Sequence, residues 1–171
     1  MTSTEQSFRA ELVGLLPRLR RFGRALTRHR EDADDLVQTA LERALNHRAQ
    51  WEAGTRLDSW MFRIMKNAWI DEVRARRRSS ELIVNQEDID AVGVATKDSH
   101  LESIAIRAAM LRLSEEQRLV VGLVLVEGMP YKEAAQVLEI PIGTLTSRLA
   151  RARERLQELL TEDAGRSELG R

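Results

Sequence analysis

Apolar residues return at every third or fourth position along almost the whole chain, and that rhythm admits helices and little else. Phe8, Leu12, Leu15, Leu16, Leu19, Phe22 and Leu26 mark a first helix over residues 8–29, which Pro17 either kinks or divides in two. Leu36, Ala40, Leu41, Ala44 and Leu45 mark a second, opened by Asp32, Asp34 and Asp35, where the helix macrodipole favours negative charge. Gly54 breaks the pattern, and Asp58 or Ser59 can cap a third helix over about 59–78 that buries Met61, Ile64, Met65 and Ala68. Helices resume near residue 101. Ser114 and Gln117 have the spacing of a capping box, Gly128 closes that helix and Pro130 opens the next. Only "LVVGLVLV" reads equally as strand, and its flanking caps assign it to helix. The expected fold class is all-α.

Between the helical blocks, residues 79–100 lose the periodicity, begin with two serines and carry an acidic excess. They predict a flexible acidic linker between two small helical domains, 1–78 and 101–161, followed by a frayed tail at 162–171. The chain's 27 Lys/Arg balance its 27 Asp/Glu, a sum that by itself argues against a nucleic-acid partner. The distribution reverses that argument. Residues 1–78 hold sixteen basic against eleven acidic side chains, a net of +5; residues 79–103 hold one against six, a net of −5; the remainder balances at ten each. Local charge, not the sum, sets the field that a phosphate backbone meets.

Several classes are unsupported. The absence of cysteine excludes a disulfide framework and a thiolate metal site. His29, His47 and His100 lack metal-ligand spacing, and Asp32, Asp34 and Asp35 lack the glycine and terminal glutamate of a calcium loop. No phosphate-binding glycine loop or nucleophile elbow occurs, so we expect neither an enzyme nor a cofactor or metal. No apolar run of about 18 residues is present, so no membrane insertion is expected. The first residues lack a basic-then-apolar leader, and a cytoplasmic location is expected.

Two segments carry the chemistry. "PYKEAAQVLEIPIGTLTSRLARA" has the spacing of a helix-turn-helix. In its second helix Leu145, Leu149, Ala152, Leu156 and Leu159 form an apolar stripe, while Thr144, Arg148, Arg151 and Arg155 share a neighbouring face. An ordinary helical hairpin is the competing reading. The small residues at the turn and the hydroxyl-arginine half, with Thr146 and Ser147, favour DNA, because guanidinium forks suit phosphates and guanine edges. The other segment is the third helix, where Trp60 and Trp69 flank Arg63, Lys66 and Asn67 before the basic run Arg74 to Arg78. Aromatic faces beside cations and an amide are what unstacked bases need. Trp69 lies near the apolar stripe and reads as core, which leaves Trp60 as the stacking candidate.

Taken in order, "EDADDLVQTALERAL", "GTRLDSWMFRIMKNAWIDEVRARRR" and "LSEEQRLVVGLVLVEGMPYKEAAQVLEIPIGTLTSRLARARERL" resemble the bacterial extracytoplasmic-function sigma factors, closest to the alphaproteobacterial general-stress branch. The likeness covers about residues 8–78 and 101–160. It implies a transcription initiation factor that binds core RNA polymerase, recognises promoter DNA and is held inactive by an anti-sigma factor. It places Asp35, Leu36, Gln38 and Leu41 on the polymerase. Trp60, Arg63, Lys66, Asn67, Asp71 and Arg74 fall at the −10 element, where a base is flipped from the stack. Thr144, Thr146, Ser147, Arg148 and Arg151 fall in the major groove at −35. The chain departs from the family at Thr146, which is often basic, at Ala150, which is small, at Ala53, which replaces a proline, and at Glu139, which replaces the glycine of the turn. The alternative from another class is a sigma mimic, an interaction module that sequesters an anti-sigma factor without touching DNA.

Overall fold

The apolar rhythm resolves into seven α-helices in the computed structural model, which describes the backbone of residues 3–80 and 99–169 and the side chains of 3–80 and 103–165. No strand occurs among the described residues. Helix α1, Ser3–Leu26, runs through Pro17 without dividing. The carbonyl left unbonded by the missing Pro17 N–H belongs to Val13, which is 64% exposed, so water can replace the lost bond. The Thr27 hydroxyl turns the chain by donating to Gly23 O at 2.9 Å and His29 O at 3.2 Å. Helix α2, Arg30–Asn46, follows with Glu31 and Asp32 in its first turn. Gly54, at φ 92°, makes the bend into helix α3, Leu57–Ser80. Helix α3 starts at Leu57, so Asp58 and Ser59 lie within its first turn and do not cap it, and the Ser59 N–H donates to Asp58 Oδ1 at 2.8 Å.

These three helices pack on Phe22, whose ring meets Phe62 edge-on at 5.2 Å, and on the buried Met61, Met65 and Ala68. Trp69 is 4% exposed and belongs to that core.

Helix α4 spans Ser99–Leu111 and α5 spans Glu115–Val121. The capping box forms at α5: Gln117 N–H donates to Ser114 Oγ and Ser114 N–H donates to Gln117 Oε1, both at 3.2 Å. The ambiguous "LVVGLVLV" is helical but loosens into a π turn over Gly122–Val126, and Gly128 at φ 66° ends it. Helix α6, Tyr131–Leu138, starts after Pro130. Helix α7 begins at Ile142 and buries Leu145, Leu149, Ala152 and Leu159. It continues to Leu169, so the fraying expected from residue 162 is replaced by helix. Of the expected linker, residues 79–80 end α3 and 99–100 begin α4; residues 81–98 lie outside the described residues.

Sequence pattern leaves the two helical units free of one another. In the fold they are joined, and buried side chains of both form one hydrophobic core. Gly122 comes so near α1 that an added Cβ would stand 2.8 Å from the Phe22 ring. Arg118 of α5 reaches across to donate to Leu26 O at 2.9 Å, while its other nitrogens donate to Met110 O, Leu111 O and Leu113 O at 3.0–3.1 Å. Its guanidinium also lies 5.8 Å from the centre of the Trp69 ring. Burial pushes the Arg118 pKa down, against the charge of Glu115, and carbonyl oxygens at two helix ends and an aromatic face hold the cation with no carboxylate in direct contact among the described residues.

A chain of charges runs along the same seam. Arg21 donates to both oxygens of Glu127 at 2.9 and 3.1 Å, and Arg18 donates to Glu127 at 3.2 Å and to Asp58 at 3.0 Å. Arg56 donates to Asp58 at 2.8 and 3.1 Å and to Glu133 of α6 at 2.5 Å. The π turn delivers Glu127 to this position, with its side chain wholly buried between the two arginines.

Candidate nucleic-acid interface

The helix-turn-helix is built by α6, a tight turn and α7. The turn closes as a Schellman motif: Ile140 N–H donates to Ala135 O at 3.1 Å and Glu139 N–H to Gln136 O at 3.2 Å. That geometry needs a left-handed residue, and Glu139 supplies it at φ 56°, ψ 42°. It is the one non-glycine residue with positive φ among those described. Glycine adopts this conformation without the Cβ penalty.

On α7, Thr146, Ser147 and Arg151 are exposed, and Thr144 and Arg148 are half-buried. The Thr146 hydroxyl donates to Ile142 O at 2.8 Å and the Ser147 hydroxyl to Thr144 O at 3.2 Å, so both sit back against the helix. Arg148 lies 3.4 Å from Glu116, whereas Arg151 makes no ion pair among the described residues. The five −35 candidates thus share the first three turns of one helix, presented by a buried apolar stripe.

The α3 candidates do not share one surface. Trp60 is half-buried against Phe8, ring centres 6.4 Å apart, and Asn67 is exposed one face along. Between them opens a recess of about 220 Å3 lined by Trp60, Ile64 and Asn67 with Arg43, His47 and Gln50. The last three come from the end of α2 and the turn after it. Sequence reasoning missed them because no periodicity links them to α3. Asp71 is exposed and accepts from Arg43 at 2.9 Å, and Arg74 is exposed further along the helix. Arg63 donates instead to Gln136 O at 3.2 Å, and Lys66, 5% exposed, puts its Nζ 3.1 Å from Glu139. The Lys66 hydrogen bond and charge hold the Glu139 carboxyl below its usual range.

Asp58 lies in the first turn of α3. Burial pushes its pKa up, but hydrogen bonds from Arg56, Arg18 and the Ser59 N–H outweigh burial and hold it at about 2.

On α2, Asp35 and Gln38 are exposed and Leu41 is half-buried at the surface. Leu36 is 2% exposed and packs inward, so it supports this face without lying on it. Stepping 100° per residue puts Asp34 where Leu36 was expected, beside Gln38 and Leu41, and all three line an open recess with Leu16 and Arg20 of α1.

Residues 12–66 match the family described as the sigma2 domain of PhyR, and residues 103–156 match sigma-70 region 4. The chain is 36% identical over 163 residues to the ECF RNA polymerase sigma factor EcfG of Rhodopseudomonas palustris, covering 92% of this chain and 87% of that one. It is 36% identical over 143 residues to the ECF RNA polymerase sigma factor SigM of Mycobacterium tuberculosis, covering 83% and 71%. Among solved structures, the sigma factor RpoE of Bartonella quintana, crystallised with the anti-sigma factor NepR, superposes with a TM-score of 0.76 at 32% identity, over 91% of this chain and 98% of that one. CnrH, solved with the cytosolic domain of CnrY, shares the fold with a TM-score of 0.71 at 24% identity, over 93% and 90%.

Proposed function

This chain belongs to the extracytoplasmic-function sigma factors of bacterial RNA polymerase, and from that membership we propose that it binds core polymerase, brings it to a subset of promoters and helps to open them. The observation that carries the reading is the presence in one chain of two different DNA-reading devices. The first three turns of α7 offer hydroxyls and arginines sized for a major groove. The recess at Trp60 and Asn67 offers an aromatic edge, amides and the Arg43 guanidinium, a set suited to a base taken out of the stack.

Residues 1–78 serve the polymerase and the −10 element, and residues 101–161 serve the −35 element. Thr144, Thr146, Ser147, Arg148 and Arg151 meet the −35 duplex; Trp60, Arg63, Lys66, Asn67, Asp71 and Arg74 meet the opened strand. Asp35, Gln38 and Leu41, joined by Asp34, present the α2 face to polymerase. Unstacking DNA costs a few kcal/mol per step, which base capture at α3 offsets in part. The protein acts in the cytoplasm; no helix among the described residues is long and apolar enough to cross a membrane. An anti-sigma factor restrains it, a reading supported by its likeness to a sigma factor solved with one. The placement within the general-stress branch rests on the resemblance of the sequence motifs.

Run-off transcription from a promoter library with purified core polymerase tests this function. Transcripts from a subset of templates sharing −35 and −10 motifs are expected. Preparations that neither bind polymerase nor direct a transcript would overturn it in favour of a sigma mimic.

A further inference from the structure

We propose that the turn of the helix-turn-helix is an intramolecular occupant of the −10 site: Glu139 and the Gln136 carbonyl hold Lys66 and Arg63, so that the turn and the promoter strand compete for the same two cations. The inference rests on the assignment of Lys66 and Arg63 to the −10 strand.

Lys66 is the starting point. Its ammonium stands on a side chain 6% exposed, and its one carboxylate partner among the described residues, at 3.1 Å, is contributed by the other helical unit. A lysine covered in this way cannot reach a phosphate or a base. It becomes available only when α6 and its turn move off α3. Arg63, one turn away, donates to Gln136 O at 3.2 Å. That carbonyl belongs to the last turn of α6, where the macrodipole is negative. Two cations of α3 therefore face a helix C-terminus and a carboxylate, an arrangement that imitates in sign what a phosphodiester strand would bring.

Glu139 is the residue that makes the contact specific. The Schellman turn needs a left-handed backbone there, and a glycine would provide it without strain. This chain instead carries a side chain whose carboxylate spans to Lys66, and Lys66 is its only hydrogen-bond partner among the described side chains. The carboxylate itself is 61% exposed, so solvent screens the pair and keeps it readily broken. The seam behind it, with Arg18, Arg21 and Arg56 on Glu127, Asp58 and Glu133, holds the units in register for the contact to form.

The test uses the whole chain. It contains no cysteine, so Asn46→Cys with Gln157→Cys, both exposed positions, gives one dye pair across the two units. Glu139→Gln removes the charge and keeps the side chain; Glu139→Gly removes both and suits the turn. Energy transfer and binding of short, random-sequence single-stranded DNA are read on the free protein. Both variants are expected to lower the transfer and to tighten DNA binding by about two- to five-fold. Unchanged binding in both variants, with wild-type holoenzyme still capturing single strand, overturns the competition while the −10 assignment stands. Holoenzyme that captures no single strand overturns that assignment and the competition with it. Transfer unchanged in both variants overturns the latch.

Discussion

Gly122 and Phe22 meet across the two helical units so closely that a Cβ on Gly122 would lie 2.8 Å from Cε2 of the phenyl ring and 3.1 Å from Cδ2. The ring is itself pinned edge-on against Phe62, so it has little room to withdraw. Gly122→Ala should therefore wedge α5 away from α1, at a cost of about 1–3 kcal/mol typical of overpacking. The expected result is a lower urea midpoint together with a larger hydrodynamic radius. An unchanged midpoint and radius would show that the ring yields and that the contact does not set the packing of the units.

The same seam should be sensitive to acid. The folded pKa of Asp58, about 2, lies below its ordinary value of 3.8. A depressed carboxylate pKa means that the stabilisation is complete above about pH 4 and is lost as pH falls through the folded value. The difference corresponds to at most about 2 kcal/mol at neutral pH, because solvent screens part of the network. Asp58→Asn should flatten the stability profile between about pH 4 and 2 while lowering stability at pH 7. A parent and variant with parallel acid limbs would contradict the role of Asp58 in the network.

At the proposed −35 surface, Arg148 and Arg151 should behave differently from the neighbouring hydroxyl residues. The Thr146 and Ser147 hydroxyls donate to their own helix, whereas Arg151 is exposed and free of ion pairs among the described residues. Each arginine that meets a base edge is worth about 1–3 kcal/mol of discrimination. Arg148→Ala with Arg151→Ala should therefore abolish preference among −35 sequences in a holoenzyme binding assay and leave the affinity for core polymerase intact. Equal discrimination before and after substitution would remove α7 from sequence reading.

Trp60 should matter to opening more than to binding. Loss of a stacking platform costs about 1–3 kcal/mol per base. Trp60→Ala holoenzyme is expected to bind duplex promoter normally and to give weaker permanganate reactivity at −10 thymines. Because Trp60 also packs on Phe8, a melting curve accompanies the assay. Full reactivity in a folded variant would place the captured base elsewhere.

Much of this molecule was legible in its pattern. The stripes of α1, α3 and α7, the Ser114–Gln117 box and the breaks at Gly54 and Gly128 are local events, set by side chains three or four residues apart or by one backbone angle. Glu139 was marked in advance by standing where the turn favours glycine, and it does adopt the left-handed conformation. Leu36 was assigned to the polymerase face by resemblance although its own spacing set it on the apolar stripe, and the structure buries it to 2% exposure. The recess at Trp60 was only half visible, since Arg43, His47 and Gln50 reach it through the α2–α3 turn, and no spacing rule spans a turn.

The sequence by itself determined an all-helical chain in two blocks, because hydrophobic period and capping act over a few residues, and it singled out the arginines of α7 and Trp60 as candidates for meeting a nucleic acid. Only the tertiary structure decided how the blocks sit. Their seam depends on residues far apart in the chain: Gly122 on Phe22, Glu127 between Arg18 and Arg21, Glu139 on Lys66. Such pairings cost chain entropy to bring together and offer no periodicity to betray them, so burial and charge neutralisation in the assembled fold select them.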